Sequence, residues 1–194
     1  MPHDPTILLL LYFVMPLWLL AGFADWLCHR RSDIAHTAGV KESLLHLLMY
    51  AEIAVPLLAC LLLEINALVF ALMIAAFLAH EATALWDVTY ASKHRRISPV
   101  EQHIHSFLEL LPLIAGVLVA QKHWPQLLAL FGFGTEPARW SLELKNDPLP
   151  WPYIVTVLAA ALLLDLLPYL EELRRCLRAR RTARQLASTS ISYR

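Results

Sequence analysis

The feature that most constrains this chain is a series of long apolar runs, each about as long as the roughly 20 residues a helix needs to cross a bilayer core about 30 Å thick. Five such runs fall at residues 5–30, 42–63, 66–91, 99–121 and 151–173. Their apolar residues follow one another without the alternation of a strand or the one-sided stripe of a soluble helix. Composition agrees: 58% of the chain is apolar and 16% charged, against about 45–50% and about 25% in soluble domains. We therefore expect an all-α integral membrane bundle of about five transmembrane helices. It forms a single domain over residues 1–173, with an aromatic extracytoplasmic loop at 122–150 and a basic tail at 174–194.

The same composition excludes disorder, collagen and a basic nucleic-acid binder, and five glycines leave no Gly-rich phosphate loop. Cys28, Cys60 and Cys176 stand apart and read as free thiols rather than a disulfide framework or zinc ribbon. The first apolar run lacks a basic leader and a small-residue cleavage site, so it is expected to remain in the mature protein. Pro16, Pro56, Pro112 and Pro168 fall inside the runs and suggest kinks rather than ends.

Lys and Arg accumulate in cytoplasmic loops. Arg30, Arg31 and Lys41 lie between the first two runs, Lys93, Arg95 and Arg96 between the third and fourth, and six arginines from Arg174 to Arg184 follow the fifth. The expected orientation is N-terminus outside and C-terminus cytoplasmic, in a bacterial inner membrane. The arginines after the fifth run read first as a topology signal and second as a site for anionic lipid.

Ionisable residues are costly in a membrane, so their positions are informative. Asp25 and His29 end the first run, Glu42 and His46 begin the second, His80, Asp87 and His94 end the third, and Glu101, His105 and Glu109 begin the fourth. Residues four apart lie about 40° apart on a helix. Asp25 with His29, Glu42 with His46, and Glu101 with His105 are therefore three acid-and-imidazole pairs, each on one face. His80, Asp87 and His94 share a face at a spacing of seven, and Glu109 continues the Glu101 and His105 stripe. Glu52, Glu81 and His103 point elsewhere and read as supporting groups, caps or spectators. A faint repeat accompanies the pairs: His29-Arg30-Arg31 precedes Glu42-x-x-x-His46, and His94-Arg95-Arg96 precedes Glu101-x-x-x-His105. The chain thus reads as two pseudo-repeated hairpins around one site.

So many imidazoles and carboxylates cannot converge unpaired inside a bundle. Two divalent ions would resolve the conflict, much as acid and His groups on several helices hold two metals in ferritin-like proteins. Mixed imidazole and carboxylate donors favour iron, with zinc as the alternative. The candidate ligands are Asp25, His29, His36, Glu42, His46, His80, Asp87, His94, Glu101, His105 and Glu109, of which His36, in the first loop, reads as ligand or supporting group. Asp165 reads as a partner of a ligand or a lone polar group, and Trp26, Trp86, Tyr50 and Tyr90 flank the site. Haem, held by His46 and His105 for example, would leave the acids unexplained.

Over roughly residues 25–109 this arrangement resembles the membrane-bound, histidine-rich di-iron enzymes, the fatty acid desaturases and hydroxylases and the alkane hydroxylases. Their H-x-x-H-H boxes are absent here and carboxylates are more numerous. The resemblance implies an oxygen-dependent oxidoreductase acting on a lipid-soluble or amphiphilic substrate at the cytoplasmic side, with a separate cytoplasmic electron donor. Two other readings stay open: a zinc-dependent amidase or lipid esterase, and a divalent-cation transporter or sensor. The nearly uncharged outer halves of the runs argue against the latter.

Overall fold

The computed structural model describes residues 4–192, with side chains through Thr189. Among these residues the chain is helical, and five helices are long and apolar enough to cross a membrane. The first, α1, comprises Pro5–Leu9, a π-helical turn Leu10–Val14 and Met15–Arg31. It is followed by α2 (Val40–Leu62), α3 (Ala67–Ala91), α4 (Pro99–Lys122) and the short α5 (Trp124–Leu130). The last, α6, comprises Trp151–Ala160, a second π-helical turn Ala161–Leu166 and Leu167–Ser192. The basic segment after residue 173 continues α6 without a break. Its residues from Arg174 to Arg184 include no proline or glycine to stop a helix.

Local signals set the boundaries. The Asp4 carboxylate accepts from the Thr6 and Ile7 amides at 2.9 and 3.4 Å, with Pro5 at the first helical position. Asn66 accepts from the Val69 amide at 3.2 Å to start α3. Ser98 and Glu101 form a capping box at the start of α4. Gly39, at φ 70°, takes the left-handed turn into α2 that a side chain would strain.

The four prolines stay inside continuous helices, and two of them explain the wide turns. Pro16 and Pro168 each follow a π-helical turn that contains the residue four positions earlier, Tyr12 or Leu164. A proline ring clashes with the carbonyl of that residue and donates no amide hydrogen, and one wider turn relieves both problems.

In the bundle α2 lies along α3, α1 along α4, and α6 packs against both α1 and α2. Only 6% of the most apolar window of α4 is buried inside the protein. Leu110, Leu113 and Val117 on it are exposed, and so are Leu78 and Leu85 on α3. Such surfaces are stable only against lipid.

At one end of the bundle the 122–150 loop folds back over the turn between α2 and α3. The Glu64 amide donates to the Glu143 carbonyl at 2.8 Å, and the Lys145 amide to Leu62 at 2.9 Å. The Lys145 ammonium donates to the Cys60 and Leu63 carbonyls at 2.7 and 2.9 Å, closing the open end of α2. The three cysteines are unpaired. At the opposite, basic end, the start of α2 and the ends of α1 and α3 meet the middle of α6, and there the ionisable residues gather.

Candidate metal centre

Five helices and one loop build the polar cluster. Asp25 and His29 come from α1, Glu42 and His46 from α2, Asp87 from α3, and Glu101 and His105 from α4. Glu172 comes from α6, and Arg95 from the loop before α4. Asp25, His29, Glu42, His46, Asp87, Glu101 and Glu172 are all buried to 3% exposure or less.

The imidazoles have a common orientation. His29 Nε2 lies 3.4 Å from both Asp25 Oδ1 and Glu101 Oε1. His46 Nε2 lies 3.6 Å from Asp87 Oδ2 and 4.0 Å from Glu42 Oε1. His105 Nε2 lies 2.9 Å from Asp25 Oδ1. On the other side of the first two rings stands a single carboxylate: Glu172 accepts from His46 Nδ1 at 2.8 Å, and its second oxygen lies 3.2 Å from His29 Nδ1. The two rings stack at 4.1 Å, 7° from parallel. Tyr169, one turn before Glu172, directs its hydroxyl at the Gly22 carbonyl and at Asp25 Oδ2, 3.3 and 3.4 Å away.

Two donor sets emerge. Asp25, His29, Glu101 and His105 offer ligand atoms all within 4.8 Å of one another, and so do His29, Glu42 and His46. Both ring nitrogens of His29, together with His46 Nε2 and Asp87 Oδ1, are buried without hydrogen-bond partners. Orphaned polar atoms of this kind are rare in a finished core.

Arg95 joins the starts of α2 and α4. Its Nε donates to both Glu42 oxygens at 3.0 and 3.2 Å, Nη1 donates to Glu101 Oε2 at 3.0 Å, and Nη2 donates to Glu42 Oε1 and Glu101 Oε1 at 2.5 Å each. Burial opposes its charge, but the hydrogen bonds to Glu101 and Glu42 more than offset this and raise its pKa further above neutrality. Of the five buried carboxylates, Glu42 and Glu101 meet Arg95, while Asp25, Asp87 and Glu172 meet imidazoles.

The other sequence candidates fall outside these sets. His36 sits in a 3-10 turn, largely exposed, with Nδ1 2.9 Å from Asp33 Oδ1. His94 is exposed and donates Nδ1–H to the Tyr90 carbonyl at 2.8 Å. The spacing of seven from Asp87 loses its meaning there, because α3 ends at Ala91. Glu109 is half-buried, and His80 is buried with Nδ1 4.0 Å from Glu52 Oε2; both line a cavity beyond the cluster. Glu52 accepts from the Thr83 hydroxyl at 2.8 Å, and His103 is exposed against Phe107. Trp26 covers Arg30, while Trp86 and Tyr90 cover Lys41, as interfacial aromatics do.

Two central residues were not singled out from sequence. Glu172 could have been found by continuing from Asp165, since Asp165, Tyr169 and Glu172 follow the spacing that keeps residues on one helix face. Arg95 carries no such signal, because nothing local distinguishes it from Arg96.

The cavity holds about 110 Å³ and reaches from Asp25, His46, Asp87 and His105 into the apolar middle of the bundle, between Trp18, Ile53, Leu57 and Leu108. From His46 to Leu57 its wall follows α2 for about 16 Å at the helical rise per residue. Comparison with known protein families, curated proteins and solved structures gives no match.

Proposed function

We propose that the cluster is a dinuclear metal centre, with iron as its native metal, and that the protein is an integral membrane oxidoreductase acting on a lipid-soluble substrate held in the adjoining cavity. The observation that carries this reading is the orientation of the imidazoles. His29, His46 and His105 turn Nε2 toward carboxylates from different helices, while Glu172 engages the opposite nitrogens of the first two. A carboxylate behind a ligating imidazole fixes its ring and raises its basicity, a common arrangement at metal sites.

In this assignment Asp25, His29, Glu101 and His105 hold one ion. His46, Glu42 and Asp87 hold the other, with His29 beside both. Iron bound there would supply oxygen activation, with electrons from a separate donor at the basic end, which we assign to the cytoplasmic face of an inner membrane. The chain's own residues do the rest. Arg95 holds Glu42 and Glu101 in place, Glu172 orients two imidazoles, and the apolar cavity wall excludes water while presenting a carbon chain to the cluster.

The test is metal analysis of the detergent-purified protein, followed by oxygen uptake after iron loading with a chemical reductant and mixed lipids. About two ions per chain, both lost in the His29→Ala, His46→Ala double variant, together with lipid-dependent oxygen uptake, is the expected result. One zinc per chain and no oxygen uptake would assign a hydrolase instead, and no retained metal would overturn the centre altogether.

A further inference from the structure

The middle of the cavity contains polar groups that the metal centre does not use. Asp165 and His80 are 6% and 7% exposed and face the cavity from α6 and α3. Asp165 Oδ1 and His80 Nδ1 are buried without hydrogen-bond partners. Glu52, beside His80, has one oxygen taken by Thr83 and the other free. No lysine or arginine lines this cavity.

The placement of Asp165 is built rather than incidental. It lies on the π-helical turn Ala161–Leu166, the wide turn that Pro168 imposes. Opposite it stands Gly22, where a Cβ would collide with the Asp165 carboxylate. A glycine on α1 and a widened turn on α6 thus together admit a carboxylate into apolar surroundings, where an unpartnered polar group is costly. Its missing partner is a hydrogen-bond donor. Carbon-lined walls, from Met49, Ala84 and Val88 toward the cluster and from Trp18 and Leu57 away from it, suit an aliphatic chain attached to that donor.

We propose that the cavity binds a single-chain amphiphile whose head group donates hydrogen bonds, an alcohol or an amine, with the head received by Asp165 and His80 and the chain extending along the apolar wall. This deepens the reading of the protein as an oxidoreductase of lipid-soluble substrates by naming the substrate class. Asp165 precedes Glu172 by two helical turns, about 10 Å along α6. The head is therefore anchored away from the metal centre, and a chain running from it toward the cluster past Met49, Ala84 and Val88 offers a carbon rather than the head.

The test is equilibrium binding of radiolabelled dodecanol, dodecylamine, dodecane and laurate to the full chain in nanodiscs, with protein-free nanodiscs subtracted. The alcohol and the amine are expected to bind about tenfold more tightly than the alkane or the carboxylate, the effect of a buried hydrogen bond to a carboxylate. Asp165→Ala removes that preference, and so does Gly22→Ala, which displaces the carboxylate without deleting it. Both variants keep the wild-type metal content, and Asp165→Ala, which deletes an unpartnered buried carboxylate, does not lower the melting temperature.

Equal binding of all four probes, or an unchanged preference in Asp165→Ala, overturns the proposal. The assay needs neither metal nor turnover. A metal-free protein that still prefers the alcohol and the amine would overturn the oxidoreductase and leave the binding site standing, while a metal-loaded protein without the preference would do the reverse.

Discussion

The two connections at the basic end of the bundle, α1 to α2 and α3 to α4, carry the same tripeptide and use it in opposite ways. In the first, His29 turns inward to 0% exposure while the Arg30 side chain stays 54% exposed, beside Glu171. In the second, His94 is exposed and the Arg95 side chain falls to 3%. The following pairs keep their equivalence, for Glu42 and Glu101 meet on the same guanidinium, and His46 and His105 each direct a ring nitrogen to a buried carboxylate. The difference begins with the helix ends. In the first connection α1 continues through Arg31, so His29 stays on the helix face it shares with Asp25. In the second α3 stops at Ala91, before the tripeptide begins, and the loop delivers the next residue instead. One connection thus contributes a titratable donor and the other a permanent cation, an asymmetry that follows from where one helix ends.

The sharpest way to break this comparison is to remove the cation. Arg95→Gln strands Glu42 and Glu101 and should cost about 3–5 kcal/mol, read by denaturation in detergent, whereas Arg30→Gln, at an exposed pair, should cost about 0–1 kcal/mol. Because the Arg95 pKa is raised, its contribution is fully present below the usual guanidinium value and is lost only on rising through the still higher folded value. No part of it should vary with pH across the neutral range. The histidines follow: His29→Ala should release metal from both positions while His94→Ala retains it, as elemental analysis would reveal. Glu172→Gln leaves every inner donor in place but loosens two rings, and should weaken metal affinity about 10–100-fold in competition with a chelator.

Smaller effects sharpen the same contrast. The second connection enters α4 through the Ser98 capping box, which engages Glu101 itself, whereas Gly39 gives α2 no side-chain cap. Ser98→Ala should therefore cost about 1 kcal/mol, with no counterpart in the first connection. Smallest of all is His36→Ala, which removes only an exposed loop pair and should change neither metal content nor melting temperature.

The sequence made the helices legible because a helix needs about 20 continuous apolar residues to cross lipid, about twice what a barrel strand needs. The three acid-and-imidazole pairs were legible because each lies within one helix, where spacing determines facing. Legibility ended where helices ended. His94 and His36 look equivalent to the central histidines in spacing or composition, yet they stand on a loop and a 3-10 turn. Arg95 reached the cluster by a loop path that no periodicity describes. Glu172 was obscured for a different reason: the arginines after it suggest a solvated tail, whereas its own turn of α6 is still enclosed by α1 and α2.

The continuity of α6 has a mechanical consequence. From Trp151 to Thr189 it runs 39 residues, about 60 Å at the helical rise, roughly twice the hydrocarbon thickness. About half of it therefore stands clear of the apolar core as a rod. Glu172 sits near the fulcrum and the free end acts as a lever arm, so a change of bilayer thickness that tilts the span swings the tip through a wide arc while barely displacing the carboxylate. A probe fixed to the far end would report the tilt of the span from outside the membrane, with the polar cluster undisturbed.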